Sequence, residues 1–440
     1  LRPDTYTKNP DGSIAIGGIS LQDLAREFGT PLYILDYASI VRRMQHYRDA
    51  LQSMRPAGRA AYAGKAFLCR AMVEVVQQQG LMLDVVSGGE LFTALKAGFP
   101  AEQIIFHGNV KTDEELELGL TAGVGQFVVD SLSELERLDR LARRFSRQAP
   151  VLLRITPGID AHTHDFIRTG HFDSKFGFGL ADDIADQAME LALASEHVTT
   201  NGFHAHIGSQ ILETDPFVAN AEALLRFSRR WHERAGFWPR VLDIGGGIGV
   251  RYDETDTPPV LDVIVQRVER ALEALTPPDL EPPQVIMEPG RSIVAEAGAT
   301  LYTVEAEKTV AGGKMYVAVD GGMGDNIRPA LYQARYGAEV DGKRDDAPDC
   351  VATLAGRYCE SGDILIEGAS LKRPQVGDLV AVWATGAYNY SMASTYNRVP
   401  RPAVVAVYEG TADLWVERET WEDVMRLDKP LKFAQRRVNA

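Results

Sequence analysis

The feature that most constrains how this chain can fold is a repeat of short apolar runs, at residues 60–64, 82–86, 104–106, 126–129, 151–155, 202–206, 241–244 and 285–287. Between most of them lie segments whose apolar positions fall near a 3.6-residue period, at 71–79, 89–97, 114–121 and 133–145, and several end at Gly or Pro. A strand followed by a helix, repeated about eight times, is the pattern of an α/β chain closed into a (β/α)8 TIM-type barrel; a doubly wound open sheet is the second architecture it permits. A polar or glycine residue ends or follows each run: Lys65, Ser87, His107 with Asn109, Asp130, Arg154, His206, Gly245 to Gly247, and Glu288. Barrels of this kind build their sites at the C-terminal ends of the strands, so these residues predict a catalytic mouth.

After about residue 299 the pattern changes to short β-rich runs at 302–306, 314–319, 351–355, 379–383 and 403–407, punctuated by Gly, Pro and Asp. This predicts three parts: an N-terminal segment, 1–37, whose strand-like 31–35 pairs into the β domain; a barrel, 38–298; and a C-terminal antiparallel β domain, 299–440. A chain of 440 residues is long enough for two cores. The net charge of −15 argues against nucleic acid and anionic membrane as partners. No apolar run approaches a membrane span, and the start shows no basic segment leading into an apolar core, so an export signal is not expected. Cys69, Cys350 and Cys359 have no metal-type spacing, which fits a reducing cytoplasm.

Taken singly, the candidate residues are ambiguous. Lys65 at a strand end either snorkels to solvent or has a depressed pKa and attacks carbonyls. The sequence Asp-Ile-Gly-Gly-Gly-Ile-Gly (243–249) is neither a dinucleotide fingerprint nor a P-loop. It is a tight turn or a phosphate cradle, and its place after the seventh run favours the cradle. Glu-Pro-Gly-Arg (288–291) is a strand-end turn, or a carboxylate and a forked cation aimed at a ligand. His204 reads as a core histidine and His206 as functional. His162 and His164 have zinc-like spacing but only Asp165 and Asp173 nearby, so no metal is expected, and 162–171 reads as a substrate-covering loop. Cys359 beside Glu360 and Asp363 is expected to stay protonated, which suits a proton donor.

The order of the motifs is more specific. Tyr-Ala-Gly-Lys (62–65), Asp-Val-Val-Ser-Gly-Gly-Glu (84–90), His-Ile-Gly-Ser-Gln (206–210), Asp-Ile-Gly-Gly-Gly (243–247), Glu-Pro-Gly-Arg (288–291), Cys-Glu-Ser-Gly-Asp (359–363) and Gly-Ala-Tyr (386–388) together resemble the fold-type III pyridoxal-phosphate decarboxylases. The resemblance covers nearly the whole chain. Three further segments, 162–171, Ile-Arg-Pro-Ala-Leu-Tyr (327–332) and Ser-Met-Ala-Ser-Thr-Tyr-Asn (391–397), resemble the branch acting on meso-2,6-diaminopimelate.

The resemblance implies that Lys65 holds pyridoxal 5'-phosphate, Glu288 meets its ring nitrogen and His206 stacks on the ring, with Asp84 and Arg154 supporting that side. Ser209, Gly245, Gly246, Gly247, Pro289, Gly290, Arg291 and Tyr388 line the cofactor, mostly at its phosphate. Arg291, Arg328, Tyr332 and Tyr388 face the substrate, Glu360 reads its distal ammonium, and Cys359 returns a proton to the carbon that loses CO2. It also implies a homodimer with shared sites, the Cys359–Glu360 loop entering the partner's site. The implied reaction is decarboxylation at the D-centre to give L-lysine. Arg328 would have no distal carboxylate to bind in an ornithine or arginine decarboxylase, and carboxynorspermidine is a further alternative substrate. A non-catalytic regulator would be expected to lose Lys65, Cys359 or the glycine loop, and all three are present.

Overall fold

The computed structural model describes residues 1–159, 175–181, 183–344 and 347–432. It divides into two compact units. The first comprises Leu1–Asp4, Asp36–Gly298 and Gly386–Ser391, and the second Thr5–Leu35, Ala299–Thr385 and Met392–Ala440.

In the first unit eight parallel strands close on themselves. They are β1 (Arg59–Ala63), β2 (Met82–Val85), β3 (Ile104–Phe106), β4 (Gln126–Val129), β5 (Ala149–Thr156), β6 (Val198–His204), β7 (Val241–Asp243) and β8 (Gln284–Met287). Each pairs with its sequence neighbour, and β8 returns to β1 through Ile286 opposite Arg59 and Met287 opposite Ala60, so the sheet has no open edge. The connecting helices start where the chain supplies caps. Ser87 accepts from the Glu90 backbone N–H, Thr112 forms a capping box with Glu115, and Ser131 accepts from the Glu134 N–H. β6 carries an irregularity at Thr200/Gly202, where a Cβ on Gly202 would lie 1.9 Å from the Val241 carbonyl oxygen. Only glycine lets β6 and β7 run this close.

The barrel interior is plugged by Ala61, Met82, Ile105, Val128, Leu152 and Ile286, one from each of six strands, with Val241 packed against them. This is a filled core, not a channel.

The second unit holds a sheet that includes Gly298–Thr309, Met315–Val319, Cys350–Ala355, Ile364–Leu371, Leu379–Trp383, Ala403–Tyr408 and Thr411–Val416. The N-terminal strand Leu32–Asp36 lies between Gly298–Thr309 and Ala403–Tyr408, as the sequence predicts. Alternate residues of these strands, among them Leu32, Ile34, Leu301, Trp383, Val405 and Val407, form its core with Leu21 and Leu24 of the helix Leu21–Phe28. Against the antiparallel expectation, Met315–Val319 runs parallel to Cys350–Ala355.

Candidate active site

Strand side chains alternate with period two, so residues two positions beyond the apolar plug point into the barrel one layer higher. On β2, β3, β7 and β8 these are Asp84, His107, Asp243 and Glu288, and each is buried. On β4 and β5 they are Asp130 and Arg154, whose side chains approach to 3.4 Å. Thus a polar layer sits directly on a greasy one, at the C-terminal ends of the strands.

Glu288 is its centre. His204 Nε2 lies 3.2 Å from Oε2 as a hydrogen bond. His107 Nε2 lies 2.5 Å from Oε1, an ion-pair contact, and 3.7 Å from Asp84 Oδ1. Burial opposes ionisation of Glu288, but His107 and His204 outweigh it and hold the carboxyl well below its usual range. Asp243 goes the other way: burial and the neighbouring Glu288 charge push it well above the usual carboxylate range, although its Oδ1 accepts from the Gly245 N–H at 2.9 Å. Burial drives His204 down to about 3, so it is a neutral imidazole at ordinary pH. His204 is therefore both a core histidine and a site residue, and His107, expected at the mouth, and Asp243 have contacts around Glu288 that the sequence did not assign.

Lys65 stands in the short turn Gly64–Ala66 that ends β1. Burial pulls its pKa down, yet the charges of Asp84 and Glu288 and the Tyr388 hydroxyl outweigh that and raise it. Of the alternatives the sequence left open, the depressed pKa is not the one found: the strand end is desolvating, but the partners that restore the charge include residues of β2 and the end of β8. His206, just past β6, is driven well below its usual value by burial and by the nearby Lys65 charge, so it too is neutral.

The glycine loop follows β7. A Cβ on Gly246 would meet the Glu288 carbonyl oxygen at 2.1 Å, and one on Gly247, at φ 108°, would meet the Gly208 oxygen at 2.3 Å. Beside it, Arg291 donates from Nη2 to Ser209 Oγ at 2.9 Å and from Nη1 to the Tyr252 hydroxyl. Its guanidinium also lies 4.9 Å from the Tyr388 ring centroid. Tyr388 holds a left-handed φ of 64°, with its N–H bound to the Ala66 carbonyl at 2.8 Å. The first unit thus brings together Lys65, Asp84, Arg154, His206, Ser209, Gly245 to Gly247, Glu288 to Arg291, and Tyr388.

The second unit carries the remaining predicted residues. Arg328 opens the short helix Arg328–Tyr332; it is buried, donates from Nε to the Tyr336 hydroxyl at 2.9 Å and stacks on Tyr332. Cys359 and Glu360 are exposed. Asp363 holds their loop by accepting from the Tyr358 N–H at 2.7 Å and the Met323 N–H at 2.6 Å. That second bond ties the Cys359 loop to the segment leading into Arg328. The 162–171 loop lies outside the described residues.

Pyridoxal phosphate fits this arrangement. Arg291 Nε and Asp84 Oδ1 are buried and lack a hydrogen-bond partner among the described residues, as expected where a polar ligand completes a site. The glycine loop packs against the Glu288 and Gly208 carbonyl oxygens so closely that only glycine fits at Gly246 and Gly247, which holds the loop beside Arg291 at the strand ends. His107, His204, Asp243 and Glu288 have the donor types of a metal site. However, two ligands at about 2.0–2.1 Å from one tetrahedral ion lie roughly 3.3 Å apart, and the 2.5 Å contact is too close.

A parallel barrel with a lysine, a carboxylate and a phosphate-type loop at its mouth defines the class, and the pyridoxal-binding domain of the pyridoxal-dependent decarboxylases matches residues 37–295. Diaminopimelate decarboxylase of Bacillus subtilis (strain 168) is 48% identical over 97% of this chain and 98% of its own. That of Staphylococcus aureus (strain COL) is 41% identical over 94% and 97%. The crystal structure of diaminopimelate decarboxylase from M. jannaschii in complex with L-lysine superposes with a TM-score of 0.90 at 33% identity, covering 97% of this chain and 98% of that one. The chain belongs to the diaminopimelate decarboxylase family of pyridoxal-phosphate-dependent enzymes.

Proposed function

We propose that the chain decarboxylates meso-2,6-diaminopimelate at its D-centre, giving L-lysine and CO2 as a homodimer with shared sites. The observation that supports this best is Glu288, a buried carboxylate kept ionised at the end of β8. Bound pyridoxal phosphate supplies a carbonyl for the substrate amine and a ring that takes up the electron pair left by CO2. Glu288 holds a proton on the ring nitrogen, which makes the ring the stronger sink. Lys65 would hold the cofactor through its Nζ, with Asp84 and Glu288 as the nearby charges that act on that amine. His206, neutral, would stack on the ring, and Asp84 and Arg154 would support that side. Ser209, Arg291, Tyr388 and the amides of Gly245 to Gly247 bind the phosphate, with Pro289 and Gly290 shaping the turn.

In the second unit, Arg328 and Tyr332, with Arg291 and Tyr388, take the distal carboxylate, Glu360 takes the distal ammonium, and Cys359 protonates the substrate carbon. Exposure of Cys359 and Glu360 fits a loop that serves the partner's site. A lysine/ornithine decarboxylase from Vibrio vulnificus shares the fold at 25% identity and a TM-score of 0.75. Arg328 separates the two readings, because a substrate without a distal carboxylate offers its guanidinium no anion to bind. The test is CO2 release by the cofactor-loaded protein from meso-diaminopimelate, LL-diaminopimelate, lysine, ornithine and arginine. Release from the meso isomer alone, with lysine formed, supports the proposal; release from ornithine or arginine contradicts the role of Arg328 and Glu360.

A further inference from the structure

Glu288 does not act alone. We propose that His107 and His204 are positioning residues for the decarboxylation, each engaging one oxygen of Glu288 so that a carboxylate in fixed orientation meets the ring nitrogen. The inference rests on the assignment of Glu288 to that nitrogen, proposed above.

The geometry carries it. His204 Nε2 is 3.2 Å from Oε2 and His107 Nε2 is 2.5 Å from Oε1, and the two imidazoles meet edge to face with centroids 4.8 Å apart. Turning either ring would break its own contact with Glu288. His204 comes from β6 and His107 from the end of β3, so two separate strands fix one carboxylate on a third.

The surroundings explain why two partners are needed. Lys65, Asp84, His107, His204, His206 and Asp243 all act on Glu288. Among them Asp84 is a like charge when ionised, and burial opposes ionisation of every carboxylate here. A buried carboxyl with too few donors keeps its own proton. It then cannot hold one on a ring nitrogen, and the ring becomes a weaker sink. The imidazoles tip that balance. His204 is suited to the task because, neutral, its Nε2–H donates while its buried Nδ1 stays bare.

The experiment uses the holoenzyme loaded with ring-15N-labelled pyridoxal phosphate, and reads the 15N shift from pH 6 to 9. The wild type is expected to keep the ring nitrogen protonated throughout. His107→Leu and His204→Leu are expected to lose that proton within the range and to drop kcat by roughly tenfold or more, with a smaller change in KM. His107→Gln and His204→Gln, which keep an N–H donor, are expected to restore both. Glu288→Gln serves as the reference and is expected to lose the ring proton. Leucine and glutamine variants that bind cofactor and titrate like wild type, while Glu288→Gln does not, overturn this inference alone. If Glu288→Gln also titrates like wild type, the assignment of Glu288 to the ring nitrogen fails and the inference falls with it. Loss of cofactor binding in the leucine variants leaves the glutamine pair to decide: a wild-type 15N profile supports the donor role, and a shifted one contradicts it.

Discussion

Two buried carboxylates, one in each unit, handle their protons in opposite ways. Glu288 closes β8 of the barrel; Asp325 precedes Arg328 in the β-rich unit, and both are nearly inaccessible to solvent. His107 and His204 hold Glu288 well below its usual range against the effect of burial. Burial pushes Asp325 up to about 7; the Tyr302 hydroxyl and the Gly322 N–H offset it only in part, and Asp363 and Asp320 add to it. Burial is common to both, so it does not decide charge. What decides is whether an imidazole stands against each carboxyl oxygen, as at Glu288, or only a hydroxyl and an amide, as at Asp325. In the function proposed above the barrel's buried charge serves the chemistry, whereas the second unit's buried acid holds a loop through the Tyr302 hydroxyl and the Gly322 N–H.

The largest expected effect breaks the comparison at its catalytic end. Glu288→Gln should cost roughly 10²–10⁴-fold in kcat while leaving the fold intact. Asp325→Asn, largely isosteric with a neutral acid, should stay within a few-fold of wild-type kcat. Steady-state kinetics on the two variants side by side checks this, and equal losses would erase the distinction.

The next effect compares glycines. Gly246→Ala places a methyl 2.1 Å from the Glu288 carbonyl oxygen, a backbone atom that cannot give way. Gly362, in the Cys359 loop, has nothing within 4 Å of its added Cβ. Cofactor titration by absorbance should show Gly246→Ala weakened by roughly tenfold or more and Gly362→Ala unchanged.

The pH dependence of stability sharpens the contrast further. Asp325 has a native pKa raised from 3.8 to about 7, so the native state binds more protons than the unfolded chain between those values. Its contribution to stability is therefore lost as pH rises through that window. His204 has a native pKa lowered from 6.5 to about 3, so the unfolded chain binds more protons between about 3 and 6.5, and stability is lost as pH falls through that range. Urea unfolding at pH 5 and pH 8 should show Asp325→Asn gaining on wild type at the higher pH, by on the order of a few kcal/mol. His204→Gln should gain on wild type at the lower pH, by less.

A smaller effect concerns Glu90 in the barrel, which burial raises to about 7 although its Oε2 accepts from the Val86 N–H. Glu90→Gln should flatten the same alkaline loss of stability between about 4.5 and 7, by roughly 1–3 kcal/mol. Thermal melts across that range are the check.

The barrel was legible in the chain because its strands are short apolar runs and a polar or glycine residue ends or follows each of them. The side chains brought together from Lys65 to Tyr388 follow from that order and from the motif resemblance. The convergence of His107, His204 and Asp243 on Glu288 was not legible. It depends on the register between strands far apart in sequence, which single-strand alternation does not supply. Lys65 shows the same limit: its strand predicts desolvation, but the carboxylates that restore its charge lie on other strands. In the second unit, Ile364–Leu371 was missed because its outward positions include Glu367 and Gly368, which read as loop. The parallel pairing of Met315–Val319 with Cys350–Ala355 had no local signature, since parallel partners need a long connection and leave no hairpin turn.

The most direct test of the account is a 13C titration of the carboxyl groups of Glu288 and Asp325 in the holoenzyme, each assigned by its amide variant. The account predicts a Glu288 carboxylate that stays ionised from pH 5 to 9 and an Asp325 carboxyl that titrates near 7. A Glu288 resonance that moves through a protonated form within that range would contradict it.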